Sequence, residues 1–448
     1  MLPNPKGQLT KQLLDFFTQP LDHEENEAKI VQPFQRCGDL VHFQHDSLSV
    51  CDVSIMGHRI NWEHFCLKNQ LKMRWEKKGN NEAQAKVLFH EELVQKLLEE
   101  SNETWLFPLE SALPMPKERY ALRFQRIPII RYVLGAIMEQ GADYGKHKDA
   151  TVARPLSITL EAADCNDQEL RYFRQYRLYH ILLRLIAYSD WNVVPAAKKA
   201  DNKIMNMRIQ LQRPKKQKDN TVTIVCGPVL EPGKKTATNL KSGSYMALRS
   251  NDMILMAMHR NGVRDIGNNK RDAMLMESLG SAAVVVDLFE VRHASAATVV
   301  RNSSGCSKGA AFILYNSARL ETLLRSFNAQ VKAGVYQPLP PLNEIDFSLL
   351  EDDLDWQLIY GYLLAFPHVA ESTLVQLQRG LCGVHTLVHF IADMARQFSR
   401  YYRNKQVLLQ GRDQLTPVLH ARVYLIKAVR EVLNASLAIM GIKPVTYM

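Results

Sequence analysis

A strand, a long amphipathic helix and a second strand follow one another near the middle of the chain, and this order restricts the fold most. "PLSITLEA" (155–162) is typical of a strand that begins at a proline. The segment 168–190 carries one apolar stripe at helical spacing, formed by Leu178, Ile181, Leu182, Leu185 and Ile186. "WNVVP" (191–195) then supplies another strand. This pattern predicts a βαβ unit with parallel strands.

The rest of the chain divides into regions of different character. Residues 1–149 predict a mixed α/β region, in which 81–103 forms an amphipathic helix. Residues 150–277 predict an α/β region with a further strand in "TVTIVCGPV" (221–229). From 278 to 448 the pattern predicts helices throughout. The Lys-rich segments at 213–219 and 231–243 are predicted to be surface loops.

Composition limits the class of protein and of partner. The chain has 448 residues, 46% of them hydrophobic, which is enough for two or three domains. Its net charge of +10 favours anionic partners such as nucleic acid. No apolar run approaches the ~20 residues of a membrane span, so no membrane partner is predicted. The N-terminus shows no signal-peptide pattern.

The cysteines indicate a reducing compartment. There are seven, an odd number, scattered without a Cys-x-x-Cys pair. This distribution argues against a disulfide framework and against a structural zinc site. We therefore expect a reduced, cytoplasmic protein.

Four arginines lie on one flank of the helix predicted at 168–190. They follow helical spacing beside the leucine stripe, at Arg171, Arg174, Arg177 and Arg184. One interpretation is a secondary basic face that tracks phosphates. The alternative is an ordinary solvated helix surface, and the spacing allows both.

Rings and guanidinium groups alternate in two segments of the helical third. Tyr315, Arg319 and Thr322 share a helix face, and the segment 398–403 interleaves Phe398, Arg400, Tyr401, Tyr402 and Arg403. This mixture suits single-stranded RNA, because bases stack on rings and phosphates pair with arginine. The alternative is that at least one of the two adjacent tyrosines packs inside the helical bundle.

The motifs of the helical third also occur in a fixed order. They are "LGSAAVVVDLFEVRH" (279–293), Tyr315-Asn316-Ser317-Ala318-Arg319, "DWQLIYGYLLAFPHV" (355–369) and Phe398-Ser399-Arg400-Tyr401-Tyr402. The closing segment contains Ala421-Arg422-Val423, then Arg430-Glu431-Val432-Leu433 and a Leu437–Gly441 end. This series closely resembles the DALR anticodon-binding domain at the C-terminus of arginyl-tRNA synthetases, a helical bundle.

The resemblance implies a set of RNA-binding residues. In the resembling synthetases the terminal tail folds back beside the anticodon loop, which would bring the last two residues near RNA. Together with the ring–arginine segments, the implied set is Tyr315, Asn316, Arg319, Arg400, Tyr401, Tyr402, Arg403, Arg422, Arg430, Tyr447 and Met448.

The ATP-binding motifs of these enzymes are missing. By resemblance, 155–190 is the first βα unit of a reduced Rossmann-like domain spanning 150–277. At the start of its helix the family has His-x-Gly-His, whereas this chain has "NDQELRYFR" (166–174). "GHRINWEHF" (57–65) and "LKMRWEKKG" (71–79) lie N-terminal to the strand, in the wrong order. We therefore expect no catalytic residues and no cofactor.

Other enzyme and metal signatures are also lacking. The sequence contains no GxGxxG, no Walker loop and no GxSxG. His42 and His45 are three residues apart and could share a metal, but no third ligand accompanies them. We expect no metal site.

One family resembles the chain more closely still. "VCGPV" (225–229) and "LPPLNEIDFSLLEDDLDW" (339–356) resemble segments of the DALR anticodon-binding-domain-containing protein 3 family. That resemblance implies a non-catalytic adaptor that binds arginine tRNAs and supports 3-methylcytidine formation by a partner methyltransferase. A divergent arginyl-tRNA synthetase is the alternative, and a scaffold whose bundle binds protein is a third possibility.

Overall fold

The computed structural model describes residues 2–21, 40–44, 48, 50–75, 91–147, 154–160, 169–194, 204–212, 221–261, 270–301, 307–408 and 416–446. The chain divides into two compact units. Unit 1 comprises Met1–Ala136 and Glu344–Ala365, and unit 2 comprises Ile137–Asn343 and Phe366–Met448. One division lies near the boundary predicted after residue 149. The α/β and helical regions predicted to meet at 277/278 instead share unit 2.

Strands and helices alternate in the first half of the chain, and helices follow. The strands of the described residues are β1 (Thr18–Pro20), β2 (Val41–Phe43), β3 (Val53–Met56), β4 (Leu71–Met73), β5 (Leu109–Met115), β6 (Arg119–Phe124), β7 (Arg154–Leu160), β8 (Trp191–Val193), β9 (Met205–Gln210), β10 (Thr221–Val225), β11 (Val229–Leu230) and β12 (Ala297–Thr298). The α-helices are α1 (Pro5–Phe17), α2 (Arg59–Asn69), α3 (Glu91–Thr104), α4 (Arg126–Gln140), α5 (Leu170–Ile186), α6 (Ser242–Asn261), α7 (Lys270–Phe289), α8 (Ser307–Lys332), α9 (Asp353–Leu358), α10 (Phe366–Ser372), α11 (Val384–Asn404) and α12 (Thr416–Met440).

Unit 1 is built on an antiparallel sheet with the strand order β2-β3-β6-β5. Strands β1 and β4 form a second antiparallel pair. Helix α1 packs through Phe17, whose ring centroid lies 4.5 Å from that of Trp62 on α2. The mixed α/β prediction is confirmed. The helix predicted at 81–103 is present as α3, and residues 81–90 lie outside the described ranges.

A buried carboxylate connects this sheet to α9, which belongs to the same unit. Asp52 Oδ2 accepts a hydrogen bond from the Phe124 amide at 2.8 Å, and Oδ1 accepts one from Trp356 Nε1 at 2.7 Å. The Tyr360 hydroxyl donates to the Asp52 carbonyl at 3.0 Å. Burial raises the pKa of Asp52 to about 6, although both of its hydrogen bonds act in the opposite direction.

Unit 2 contains the predicted βαβ unit. Its sheet has the order β10-β9-β7-β8, and every pair is parallel. Helix α5 connects β7 to β8, and its predicted apolar stripe is buried in full. The predicted parallel unit is confirmed. Strand β9 was not predicted, although its buried Met207 and Ile209 alternate with polar residues, as is typical of a half-buried strand.

The helical part of unit 2 packs around α8, α11 and α12. The closing helix α12 buries the apolar stripe expected from its spacing, formed by Val429, Val432, Leu433, Leu437 and Met440. Helices begin at Ser242 with α6, earlier than the predicted start at 278. The predicted helical C-terminal bundle is confirmed.

A buried histidine joins the parallel sheet to the helices. His293 is 2% exposed and lies after α7. Its Nε2 accepts a hydrogen bond from the Cys382 amide at 3.1 Å, so Nδ1 carries the proton and donates to the Val225 carbonyl at 2.8 Å. Burial lowers the pKa of His293, which favours this neutral form.

The segment Asp353–Arg379 is apolar enough, by length and composition alone, to cross a membrane. However, 67% of its apolar stretch is buried inside the protein. Such burial is typical of a core segment, so the stretch is weak evidence for a membrane span.

Candidate RNA-binding surface

A guanidinium group lies between two tyrosine rings where α8 meets the end of α11. The Cζ atom of Arg319 is 4.5 Å from the ring centroid of Tyr315 and 4.4 Å from that of Tyr402. Arg319 also donates from Nη2 to the Tyr315 hydroxyl at 2.9 Å. Tyr315 and Arg319 lie one turn apart on α8, and Tyr402 lies in the last turn of α11. The cation–π contacts hold all three planar groups in one cluster.

Tyr402 is the ring of this cluster that extends furthest toward solvent. It is 37% exposed, and Phe398, one turn earlier on α11, supports it at a centroid distance of 6.3 Å. A ring that is fixed on one side and open on the other can stack with an unpaired base. We call Tyr315, Arg319, Phe398 and Tyr402 the stacking cluster.

Two residues of the predicted set point into the bundle instead. Tyr401 is 0% exposed, so its predicted contact with RNA is wrong, and it is the tyrosine that packs inside. Asn316 is also 0% exposed, and its Nδ2 donates to the Phe312 carbonyl of its own helix at 2.8 Å. Both lie on the inner sides of their helices, which a sequence motif does not distinguish from the outer sides.

The remaining predicted arginines differ in how far their charges are available. Arg400 and Arg403 are exposed on the last turns of α11. Arg422 is partly exposed and donates to the Gln406 carbonyl at 2.9 Å. Arg430 lies 2.6 Å from Glu431 and 3.7 Å from Glu321, so carboxylates offset its charge. Arg400 and Arg403 are therefore the better placed to meet a phosphate.

The C-terminal tail lies along α8. Gly441 ends α12 in the left-handed region, with φ of +67°, as is common where a helix stops. Ile442 and Val445 are then buried. Arg325 on α8 donates to the Thr446 carbonyl at 3.2 Å. The tail therefore packs beside the helix that carries Arg319, and Tyr447 and Met448 lie outside the described residues.

The prediction that the arginines of α5 form a phosphate-binding face is wrong. Arg174 is 0% exposed. Its guanidinium donates to several main-chain carbonyls between 2.7 and 3.2 Å away, those of Gly227, Leu288, Arg292 and Ser295. This flank of α5 is covered by the loops at 227–228 and 292–295. Arg174 therefore links α5 to these loops and to the end of α7 through buried hydrogen bonds.

Two further arginines of that face hold the end of α12. Arg177 Nη2 donates to the carbonyls of Met440 at 2.9 Å and Gly441 at 3.1 Å. Arg184 Nη1 donates to the Ile439 carbonyl at 3.3 Å. Cations at a helix C-terminus offset the partial negative charge of its free carbonyls. The fourth arginine, Arg171, is partly exposed and lies 2.8 Å from Glu169.

The start of α5 is occupied by the protein's own groups. The Leu170 amide donates to the Leu240 carbonyl at 3.0 Å, and the Glu169 carboxylate lies beside this end of the helix. A helix N-terminus binds phosphate through free amides and favours negative charge. In the described part of this end, one amide is taken and an acidic side chain is already present. Residues 161–168 lie outside the described ranges.

The sequence analysis did not include Arg396, an exposed residue of α11 on the same side as Arg400, which pairs with Asp393. His389 and the half-buried His385, whose pKa is lowered by burial, continue this line toward the start of the helix. The signal was present in the helical spacing of these residues. Only the C-terminal end of this line lies among aromatic rings.

A metal site finds no support in the described residues. No group of three His, Cys, Asp or Glu side chains that could hold a metal ion occurs among them. His42 is described, whereas His45 lies outside the described ranges.

Comparison with known proteins identifies the region that carries the stacking cluster. Residues 313–448 match the family model described as "DALR anticodon binding domain". The C-terminal region is a DALR anticodon-binding domain. The resemblance inferred from its motifs is confirmed.

Curated relatives extend the similarity over about half of the chain. "DALR anticodon-binding domain-containing protein 3" from Danio rerio is 28% identical over 233 residues, covering 50% of this chain and 41% of the relative. The Mus musculus protein of the same name is 30% identical over 246 residues, covering 52% and 44%. "Arginine--tRNA ligase" from Leuconostoc citreum is 27% identical over 234 residues, covering 50% and 36%. The chain thus matches less than half the length of each.

The whole fold is similar to that of an arginyl-tRNA synthetase. The crystal structure of the Plasmodium falciparum enzyme matches with a TM-score of 0.60 over 98% of this chain and 99% of that one. Identity is only 10%, so this likeness concerns the fold alone.

Proposed function

We propose that this chain is a non-catalytic, cytoplasmic adaptor that binds arginine tRNAs through its DALR domain. In this proposal a partner methyltransferase forms 3-methylcytidine in the anticodon loop of the bound tRNA. The DALR domain itself supports the tRNA-binding part. The adaptor role and the methyltransferase partner are what the resemblance to the DALR anticodon-binding-domain-containing protein 3 family implies.

The stacking cluster is the observation that carries the proposal. It presents an exposed ring, Tyr402, beside the exposed Arg400 and Arg403, inside the matched domain. An unpaired anticodon base offers a face for the ring, and its flanking phosphates offer partners for the arginines. The tail at 442–446 packs against α8, the helix that carries Tyr315 and Arg319. This packing widens the surface that an RNA loop can contact.

The absence of catalysis is supported by the start of α5. The sequence there has no His-x-Gly-His turn, and the Leu170 amide is bonded to Leu240. A triphosphate at this end would also meet the Glu169 carboxylate, which repels it. An adaptor that lacks chemistry of its own requires an enzyme bound to the same RNA.

Affinity purification followed by RNA sequencing and protein identification tests both halves of the proposal. We expect arginine tRNAs to be enriched over other tRNAs, together with a methyltransferase. In a reconstituted reaction, the full chain should increase methyl transfer to the anticodon loop of arginine tRNA. Enrichment of protein without tRNA would contradict RNA binding, whereas tRNA without methyltransferase would contradict only the adaptor role.

A divergent arginyl-tRNA synthetase is the second candidate, favoured by the sequence similarity of half of the chain to the arginine--tRNA ligase of Leuconostoc citreum. The discriminating assay is tRNA-dependent exchange between ATP and pyrophosphate by the purified protein. Exchange above that of a mock preparation would favour the synthetase, and none is expected from the adaptor.

A further inference from the structure

The outward face of α5 consists of aromatic and apolar side chains. Its members are Tyr172, Tyr176, Tyr179, His180 and Leu183, which we call the tyrosine face. At 3.6 residues per turn, all five lie within an arc of about 100° around the helix axis. Each is partly exposed, whereas the apolar stripe on the opposite side of the helix is buried. A helix at a protein surface usually presents charged and polar residues to solvent, so this face is unusual.

The rings of the tyrosine face are held in contact with one another. The His180 ring lies edge-on to that of Tyr176, with centroids 4.3 Å apart, and to that of Tyr179, at 5.2 Å. At the start of the helix, the guanidinium of Arg171 lies 4.7 Å from the centroid of the Tyr172 ring. Side chains that are fixed before binding lose little conformational entropy when a partner covers them. Tyrosine is also enriched at protein interfaces, because its ring is apolar and its hydroxyl is polar.

None of the five side chains of the tyrosine face is an acid, a lysine or an arginine. Burial lowers the pKa of His180, as do the nearby charges of Arg184 and Arg177, so its ring is neutral near pH 7. Those two arginines donate to the last carbonyls of α12, and Arg171 pairs with Glu169. RNA binding requires cations that meet phosphates, whereas a protein surface can cover an uncharged aromatic patch. The composition of the face therefore favours a protein as its partner.

The tyrosine face also borders the end of α12, from which the C-terminal tail begins. Arg177, the residue after Tyr176, donates to the Gly441 carbonyl at 3.1 Å. The tail then reaches α8, where the Ser317 hydroxyl donates to the Val445 carbonyl at 3.4 Å. The four steps of chain between these two contacts span at most roughly 14 Å. A protein that covers the tyrosine face therefore lies close to the helix that carries two members of the stacking cluster.

We infer that the tyrosine face of α5 is the docking surface for the partner methyltransferase, which covers it with an apolar patch of its own. This inference rests on the proposed function and adds to it the surface that the partner enzyme occupies. An enzyme that modifies the anticodon loop has to bind beside the surface that holds the loop, and the tyrosine face meets this condition. Three tyrosines in one arc also have the composition of an interface hot spot, in which few side chains supply most of the binding energy.

The test measures two binding reactions of the full chain, one with a recombinant tRNA 3-methylcytidine methyltransferase and one with an arginine tRNA. Tyr172→Gln with Tyr179→Gln removes two rings of the face, and Tyr172→Phe with Tyr179→Phe is the matched control that keeps them. Tyr402→Leu, in the stacking cluster, is the reciprocal variant. Enzyme binding is measured by biolayer interferometry after nuclease treatment, so that no RNA bridges the two proteins. Circular dichroism melting checks the fold, and Leu183→Gln repeats the test with a single change on the same face.

We expect the double glutamine variant to bind the methyltransferase at least about tenfold more weakly, and Leu183→Gln to bind it roughly threefold more weakly. Both should bind arginine tRNA within about twofold of the wild type, because neither change touches the stacking cluster. The phenylalanine control should keep its affinity for the enzyme within about threefold, since the rings remain. Tyr402→Leu should show the reverse pattern, with weaker binding of tRNA and unchanged binding of the enzyme.

Wild-type affinity for the methyltransferase in both glutamine variants would overturn this inference and leave the proposed function intact. A loss of tRNA affinity in these variants, with enzyme binding unchanged, would also overturn it and would assign the face to RNA. If the wild-type chain binds arginine tRNA but no methyltransferase, the adaptor role of the proposed function and this inference both fail.

Discussion

Two neighbouring tyrosines show that burial or exposure of a side chain depends on the side of the helix on which it lies. Tyr401 is fully buried, whereas Tyr402 is 37% exposed and stacks on Arg319. The sequence predicts that one of the pair packs inside. It does not indicate which, because both side chains are amphipathic and adjacent positions differ by only 100° around a helix.

The two tyrosines provide a matched pair of substitutions. Tyr402→Leu removes the exposed ring and should weaken arginine-tRNA binding by roughly 1–3 kcal/mol, which is about 5- to 150-fold. Tyr401→Phe removes only a buried hydroxyl and should leave RNA binding unchanged. Fluorescence anisotropy with labelled tRNA measures both. Equal losses from the two variants would reject Tyr402 as the stacking residue.

The buried guanidinium of Arg174 predicts a large effect on stability. Arg174→Met keeps the apolar volume but leaves several buried carbonyls without a donor, so we expect the free energy of unfolding to fall by roughly 3–5 kcal/mol. Arg171→Met on the same helix removes a partly exposed ion pair and should cost less than about 1 kcal/mol. Urea unfolding followed by circular dichroism distinguishes them. If both variants lose similar free energies of unfolding, the buried hydrogen bonds of Arg174 do not stabilise the fold as proposed.

Asp52 predicts an unusual dependence of stability on pH. Burial raises its pKa from 3.8 to about 6, so the native state retains the proton over a range in which the unfolded state has lost it. The contribution of Asp52 to the free energy of unfolding is therefore greatest below pH 4 and falls as the pH rises through 6. Relative to Asp52→Asn, the wild type should lose about 2 kcal/mol between pH 4 and pH 7.

Asp346 in the same unit supplies a control of opposite sign. Hydrogen bonds from Ser348 lower its pKa, so its stabilising contribution is lost as the pH falls toward that lowered value. Between pH 4 and pH 7 the urea midpoint of Asp52→Asn should therefore change relative to the wild type, whereas that of Asp346→Asn should change only below pH 4. Parallel changes would contradict the assignment for Asp52.

At the scale of elements, periodicity predicted which faces are buried but not what covers the other faces. The leucine stripe of α5 and the closing stripe of α12 are buried as their spacing predicts. The arginine flank of α5 was misassigned because the loops at 227–228 and 292–295 and the end of α12 pack on it. Those contacts join positions more than 50 residues apart, and no local pattern contains them.

A contact between two elements of unit 2 can be tested with glycines. Gly380 and Gly334 both have positive φ, +72° and +73°, so alanine strains the backbone at each. Around Gly334 there is open space, whereas a Cβ at Gly380 would lie 2.2 Å from the Thr223 carbonyl on β10. We expect Gly334→Ala to cost about 1 kcal/mol and Gly380→Ala roughly 2–5 kcal/mol in urea unfolding. Equal costs would show that β10 yields to the added methyl group.

At the scale of the whole molecule, family motifs were more informative than composition. A net charge of +10 favours an anionic partner, but it does not distinguish tRNA from other polyanions. The motif series in the last third predicted the DALR domain and the helix ends that form the stacking cluster. The strand–helix pattern predicted the parallel sheet. The assignment of residues 344–365 to unit 1 was not predicted, because the sequence gives no sign that this segment leaves the helical bundle.

The most direct test of the account is the equilibrium affinity of the purified full chain for an arginine tRNA, compared with a non-arginine tRNA of equal length. The account predicts at least about tenfold tighter binding of the arginine tRNA, and weaker binding of both tRNAs by Tyr402→Leu, because stacking on a ring does not depend on the base. Equal affinity for the two tRNAs, or affinities that Tyr402→Leu leaves unchanged, would contradict it.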